Sequence, residues 1–172
     1  KGTKLSFKPN KNLRPTESKT KETLFNWLLN DLHKKKCLDM FAGTGALGLE
    51  ALSRGAEEVI FFEKQKDLCG AIEVVVKKLG VKNKCRVINA NSTAFDFTKL
   101  NTKFDLIFLD PPFHESLIQK SLNIISENEL LTDKGLVYIE CERGLDLESL
   151  RTDLTQLKLS RGGETKYCLY ES

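Results

Sequence analysis

Residues 37 to 48, Cys-Leu-Asp-Met-Phe-Ala-Gly-Thr-Gly-Ala-Leu-Gly, constrain the fold of this chain more than any other stretch. Cys37 to Phe41 reads as a short buried strand, and a helix follows from about Ala46 to Arg54. Between them Gly43, Gly45 and Gly48 stand at G-x-G-x-x-G spacing. Glycine there lets the backbone turn sharply and approach a ligand closely. A strand, a glycine turn and a helix in that order open a βαβ unit, and with it a parallel sheet.

The rest of the chain keeps the alternation. Lys4 to Lys8 reads as a short strand and Pro9 to Pro15 as a loop. Thr16 can cap a helix that carries Leu24, Phe25, Leu28 and Leu32 on one face, so Phe25 and Trp27 read as core rather than as stacking platforms. A strand from Val59 to Phe62 and a helix from about Lys66 to Leu79, stopped by Gly80, come next. Strands then read at Arg86 to Ile88, Phe104 to Leu109 and Leu136 to Cys141, with a helix near Leu117 to Ile125. Two tail strands, Gln156 to Leu159 and Lys166 to Tyr170, flank Gly162-Gly163 as a hairpin. The expectation is one α/β domain over residues 1–172: a mostly parallel sheet with helices on both faces and an antiparallel C-terminal hairpin.

Composition removes several function classes. No apolar run approaches the roughly 20 residues a membrane span needs, and no signal-peptide pattern opens the chain. The five cysteines are odd in number and scattered without a C-x-x-C pair, and His33 and His114 stand apart from them. Reduced thiols in a cytoplasmic protein, with no metal site, fit better than a zinc site or a disulfide framework. His114 follows the Pro111-Pro112 pair and reads as a rim residue rather than a base. Net charge is +3, yet residues 1–36 carry +7 and the remainder −4. A basic N-terminal segment on a mildly acidic body suits contact with a polyanion, although lysine-rich ends also serve solubility. The chain opens on Lys1 rather than Met, and the native N-terminus is expected to extend beyond it.

The second informative stretch is Phe104 to Phe113, Phe-Asp-Leu-Ile-Phe-Leu-Asp-Pro-Pro-Phe. A buried strand ends at Asp110, and two prolines forbid both ladder pairing and helix beyond it. The stiff turn carries a carboxylate, bare carbonyls and an aromatic ring, a set suited to gripping a flat ring that bears an amine. An ordinary strand-ending turn is the plain alternative.

Glu63 ends the strand after the glycine loop, where a carboxylate accepts two ribose hydroxyls. Loop and acid together fit a dinucleotide as well as S-adenosylmethionine, and tight helix–strand packing through glycines is the structural alternative. Three features favour S-adenosylmethionine. Asp39 lies just before the loop, where it can fix the loop or meet an ammonium group. Asn91, past the third strand, can meet an adenine edge, with Ser92 supplying backbone. Asp110 to Phe113 falls across the switch point from the loop, and methyl transfer to a ring amine uses an amine-gripping turn whereas hydride transfer does not.

Together these segments resemble the class I S-adenosylmethionine methyltransferases, and more narrowly the RsmD-type bacterial 16S rRNA (guanine-N2-)-methyltransferases. The resemblance runs over nearly the whole chain: Leu13 to Thr16, Glu22 to Leu28, Leu38 to Ala56, and Asp110 to Phe113. It implies a Rossmann-like fold with a seven-stranded sheet. It also implies that Asp39, Phe41, Ala42, Gly43, Thr44, Gly45, Gly48, Glu63, Lys64, Asn91, Ser92 and Asp110 surround S-adenosylmethionine. Asp110, Pro111, Pro112 and Phe113 would hold the guanine, and Arg14, Thr16, Lys19 and Lys21 would face RNA. Arg54 stands either at a phosphate or as the cap of its own helix. The implied partner is 16S ribosomal RNA or a small-subunit assembly particle, and the implied state is a cytoplasmic monomer without a metal. Two departures stand out. Val75 or Val76 occupies a helix position where the family usually has Asn, and residues 1–15 are short for a complete N-terminal hairpin. The alternatives are an amino-methyltransferase acting on adenine or cytosine of DNA, a non-catalytic RNA-binding module, and a nicotinamide-dependent dehydrogenase.

Overall fold

The computed structural model describes residues 15–28, 32–113 and 116–172, with 15–19 as backbone alone. The expected strand at Lys4 to Lys8, the loop from Pro9, Arg14, His114 and the side chains of Thr16 and Lys19 lie outside the described residues. The element order is α1 (Pro15–Trp27), β1 (Lys36–Asp39), α2 (Ala46–Ser53), β2 (Glu58–Glu63), α3 (Lys66–Lys78) and β3 (Cys85–Asn89), followed by β4 (Phe104–Leu109), α4 (Leu117–Glu127), β5 (Leu131–Glu142), β6 (Thr155–Gly162) and β7 (Thr165–Glu171). They build a seven-stranded sheet in the order β3-β2-β1-β4-β5-β7-β6. Strands β1 to β5 pair in parallel, and β7 inserts antiparallel between β5 and β6. Strand order reverses between β1 and β4, and in open α/β sheets the crevice beyond that point is where ligands bind.

Alternation along the central strands divides the core in two. Val59 and Phe61, Leu106 and Phe108, and Tyr138 face α1, α2 and α3. Ile60 and Phe62, Ile107 and Leu109, and Val137 and Ile139 face α4 and the Phe97–Leu100 turn. Burying side chains on both faces explains why these strands read as near-continuous apolar runs. Helix α1 docks through Phe25, which is buried and lies 6.4 Å from the Phe108 ring. Trp27 packs on Tyr167 at 5.8 Å. Truncating Phe25 to Ala would cost about 3–5 kcal/mol.

Several boundaries differ from the sequence reading, among them the start of β5 at Leu131 instead of Leu136, both ends of α1 and the end of β1. Helix α1 already includes Pro15 and Thr16, so Thr16 is a helical residue and not the cap before the helix. It ends at Trp27, so Leu32 enters the core from the connection instead of from the helix. Strand β1 stops at Asp39 because the chain then peels away: Met40 N bonds Phe108 O, while Ala42 N already bonds Phe62 O on the opposite neighbour. Asp105, the one charge in β4, is a structural pin. Its carboxylate accepts from Lys36 N at 2.9 Å and Thr132 Oγ1 at 3.2 Å, where the β4–β5 register shifts.

Candidate active site

The carboxyl ends of the parallel strands open into a cavity of about 1420 Å³. Its walls bring together Asp39, Phe41, Ala42, Gly43, Thr44, Glu63, Lys64, Asn91 and Ser92 from the cofactor set, and Asp110 to Phe113 from the turn. Gly45 and Gly48 shape it from behind. Gly45 takes φ +79° at the entry to α2, a left-handed value that side chains resist. A Cβ on Gly48 would stand 2.3 Å from the Phe61 ring, so glycine there lets α2 pack closely onto β2.

The loop is held by acids. Glu63 Oε2 accepts from Gly43 N at 2.8 Å and Oε1 from Gln65 N at 2.7 Å, so both oxygens are oriented by backbone. Asn89 Nδ2 in turn donates to the carbonyls of Glu63 and Lys64. Asp39 Oδ2 accepts from Gly48 N at 3.3 Å. Its Oδ1 is buried without a hydrogen-bond partner. Burial pushes the Asp39 carboxyl up to about 7, against the pull of the Gly48 and Phe41 N–H groups and with a further push from Glu63. A carboxyl with that pKa, on the cavity wall, is set to ionise when a cation meets Oδ1.

Asn91 is committed in one direction. Its Oδ1 accepts from Thr93 N and Thr93 Oγ1, both at 3.0 Å, which leaves the amide NH₂ as the group to offer a ligand. Ser92 contributes a side-chain latch as well as backbone: its buried Oγ donates to Met40 O at 2.7 Å, tying the β3 exit to the β1 exit. On the far wall Pro111 is buried while Phe113 remains 38% exposed.

The cavity also gathers residues that the sequence did not nominate. Thr20 of α1, Gln65, Leu68, Glu140 of β5 and Gly162 to Thr165 of the tail hairpin all line it, with Lys21 beside Thr20. Register explains a row among them. Asp39 aligns with Phe61 and with Phe108, and Phe108 aligns with Tyr138. Two residues further along the chain from Phe61, Phe108 and Tyr138 stand Glu63 at the end of β2, Asp110 just past β4 and Glu140 in β5, all three lining the cavity. Four carboxylates therefore cross the mouth of four consecutive strands, β2-β1-β4-β5.

Arg54 is placed elsewhere. It ends α2 at the pole away from the glycine loop, its Nε donates to Glu50 Oε1 at 2.6 Å, and its guanidinium lies 4.8 Å over the Phe25 ring. Among the described residues no cluster of metal ligands occurs, and no helix is long and apolar enough to cross a membrane. The five cysteines carry free thiols, and burial pushes Cys37 and Cys168 up to about 12.

With this geometry in hand, comparison with known proteins is decisive. A family model described as "Conserved hypothetical protein 95" matches residues 1–171. The protein named ribosomal RNA small subunit methyltransferase D of Haemophilus influenzae is 39% identical, covering 99% of this chain and 89% of its own. Its Escherichia coli namesake is 35% identical, covering 99% and 85%. The chain belongs to this methyltransferase D family. Solved structures are also similar: a putative methyltransferase from Escherichia coli superposes with a TM-score of 0.81 at 32% identity, over 95% of this chain and 89% of that one. A putative methylase from Haemophilus influenzae gives 0.80 at 40% identity, over 91% and 98%. The family's fold is the Rossmann-like methyltransferase fold expected from the sequence, hairpin included.

Proposed function

We propose that this protein transfers the methyl group of S-adenosylmethionine to the exocyclic 2-amino group of one guanine in 16S ribosomal RNA, met as RNA or within a small-subunit assembly particle. The observation that carries the reading is that the Asp110–Phe113 turn lines the same cavity as Asp39 and Glu63, on the wall across from them. The names of the relatives supply the substrate class.

The residues fit the cofactor. Asp39 Oδ1, buried and unpartnered, answers an ammonium group. The backbone-oriented Glu63 carboxylate answers a ribose diol, and the Asn91 amide answers a ring acceptor of adenine. Phe41, Ala42, Gly43, Thr44 and Lys64 would complete the surround. When bound, S-adenosylmethionine supplies a methyl group already activated on a sulfonium, so no covalent nucleophile is asked of the chain.

The chain's task is alignment of a poor nucleophile, an amine whose lone pair is delocalised into its ring. The Asp110 carboxylate and the Pro111 carbonyl accept the two amine hydrogens, favour a more pyramidal nitrogen and stabilise the positive charge that grows on it. Asp110 or water takes the proton after transfer. Pro112 stiffens the turn, and the Phe113 ring stacks on the unpaired base, worth about 1–3 kcal/mol. Arg14, Thr16, Lys19 and Lys21 lead the RNA toward this wall. For Arg54 the reading taken is the cap of its own helix, supported by its contacts with Glu50 and Phe25. The protein works as a cytoplasmic monomer.

The test is transfer of labelled methyl from S-adenosylmethionine to unmodified small-subunit RNA by the wild type and by Asp110→Ala. Activity in the wild type, with a loss of about 10³-fold in a variant that still binds cofactor, supports the mechanism. Full activity in Asp110→Ala would sink it.

A further inference from the structure

An amine clamp alone does not distinguish guanine from adenine or cytosine, because all three bases carry an exocyclic amine. The difference lies at the neighbouring ring nitrogen. Beside the amine, adenine and cytosine present a bare acceptor, whereas guanine presents the N1–H donor. A second acceptor placed next to the clamp would read that hydrogen. We propose that Glu140 is that acceptor: its carboxylate receives the N1–H of the guanine whose 2-amino group meets Asp110, and so sets the base specificity of the site. The inference rests on the guanine reading above and deepens it.

Four observations place Glu140 for the task. It lines the cavity together with Asp110, Pro111, Pro112 and Phe113. The β4–β5 register pairs Phe108 with Tyr138 and Leu109 with Ile139, Asp110 follows directly after β4 and Glu140 directly after Ile139, and the charges of both act on Tyr138. Neighbouring strands lie about 4.8 Å apart, so both side chains reach adjacent donors on one base edge. The carboxylate is also oriented from beneath: Tyr138 Oη donates to Glu140 Oε2 at 3.0 Å. That phenol cannot wander, because its ring is fully buried and packs edge-on against Phe108 at 6.4 Å. Burial first, then the charges of Glu140 and Asp110, keep the phenol protonated and hence a donor. A carboxylate has about four lone-pair sites, so it can accept from more than one donor at a time.

Chemistry agrees with the placement. A ligand that brings an N–H to each of two carboxylates lining one cavity is bonded by both. Guanine's N1–H and N2–H point the same way from one edge and serve both. An adenine in the same pose would turn a ring lone pair toward Glu140, which is repulsive. Sites built to bond a donor reject analogues that lack it far more strongly than apolar pockets reject a shape.

The experiment maps the position methylated in wild-type product and then rebuilds that RNA with 2-aminopurine there. 2-Aminopurine keeps the amine but has a bare N1. Methyl transfer is measured for wild type, Glu140→Gln and Tyr138→Phe, alongside cofactor affinity. Wild type should prefer guanine by about 100-fold in kcat/KM. Glu140→Gln should lose about 30- to 100-fold on guanine. Its preference should shrink to within about 5-fold, because a carboxamide can donate to the bare N1. Tyr138→Phe, which frees the carboxylate without removing it, should lose about 3- to 10-fold on guanine at unchanged cofactor affinity. Wild-type discrimination retained by Glu140→Gln overturns the inference while leaving guanine methylation standing. Equal loss on both bases assigns Glu140 a structural role and overturns it too. If Glu140→Gln does not fold, unchanged discrimination in Tyr138→Phe is the overturning result. A wild type that makes no N2-methylguanosine overturns the guanine reading, and this inference with it.

Discussion

The two walls of the cavity are built differently. On the β2–β1 side the functional groups are fixed by internal bonds: Glu63 holds Gly43 and Gln65, Asp39 holds Gly48, and Ser92 holds Met40. On the β4–β5 side the groups come from a proline turn with an exposed Phe113, from α1 and from the tip of the β6–β7 hairpin. The first wall suits a small ligand of constant shape met in every turnover. The second suits one base delivered on a large, variable polymer. The contrast teaches that mutations on the two sides should separate into cofactor defects and substrate defects.

The largest expected effect breaks the substrate wall. Asp110→Asn should lower kcat by about 10²- to 10³-fold, read by labelled transfer, with cofactor affinity nearly unchanged. Loss of cofactor binding would place Asp110 on the other wall. Glu63→Ala should do the reverse, weakening S-adenosylmethionine by about 10- to 100-fold in calorimetry while RNA affinity holds. It removes the acceptor of two loop N–H groups as well, so a modest fall in melting temperature should accompany it.

The pH dependence of the cofactor wall comes next. Asp39 titrates near 7 in the fold against an ordinary value of 3.8, so the folded protein binds the extra proton in that window. Stability without ligand should therefore fall as pH rises from 3.8 to about 7, by at most about 1.4 kcal/mol per unit. Denaturant melts across that range should show the slope, and Asp39→Asn should flatten it. An unchanged slope would remove Asp39 as its source. Phe113→Ala should raise the KM for RNA by about 5- to 50-fold at unchanged cofactor affinity. Smallest of all, Arg54→Ala should cost less than about 1 kcal/mol of stability and leave transfer intact. A salt-sensitive loss of RNA affinity there would restore Arg54 to the RNA surface.

The cofactor wall was the more legible in sequence, for a physical reason. Its parts are local: the strand, the Gly43–Gly48 turn and Glu63 fall within one βαβ unit, whose spacing is readable along the chain. Asp110 was legible because two prolines punctuate the strand end. Glu140 was not, because its role depends on which strand β5 lies beside and in what register, and alternation within Val-Tyr-Ile-Glu-Cys does not say so. Gly162-Gly163 signals the hairpin, whose turn lies at 163–164, but not that Gly162 to Thr165 line the cavity, since only the antiparallel insertion of β7 beside β5 carries them there. Sequence alone allows the Asn91 side chain either to accept or to donate, and only its bonds to Thr93 decide.

The methyl group carried by S-adenosylmethionine is expected to reach the 2-amino nitrogen of guanine at a site walled by this row of carboxylates. The direct measurement incubates unmodified small-subunit RNA, naked and as assembly particles, with the wild-type protein and labelled S-adenosylmethionine, and digests the RNA to nucleosides. Label is expected in N2-methylguanosine alone. Label in N6-methyladenosine or N4-methylcytidine, or none in any nucleoside from either substrate, would overturn the guanine reading.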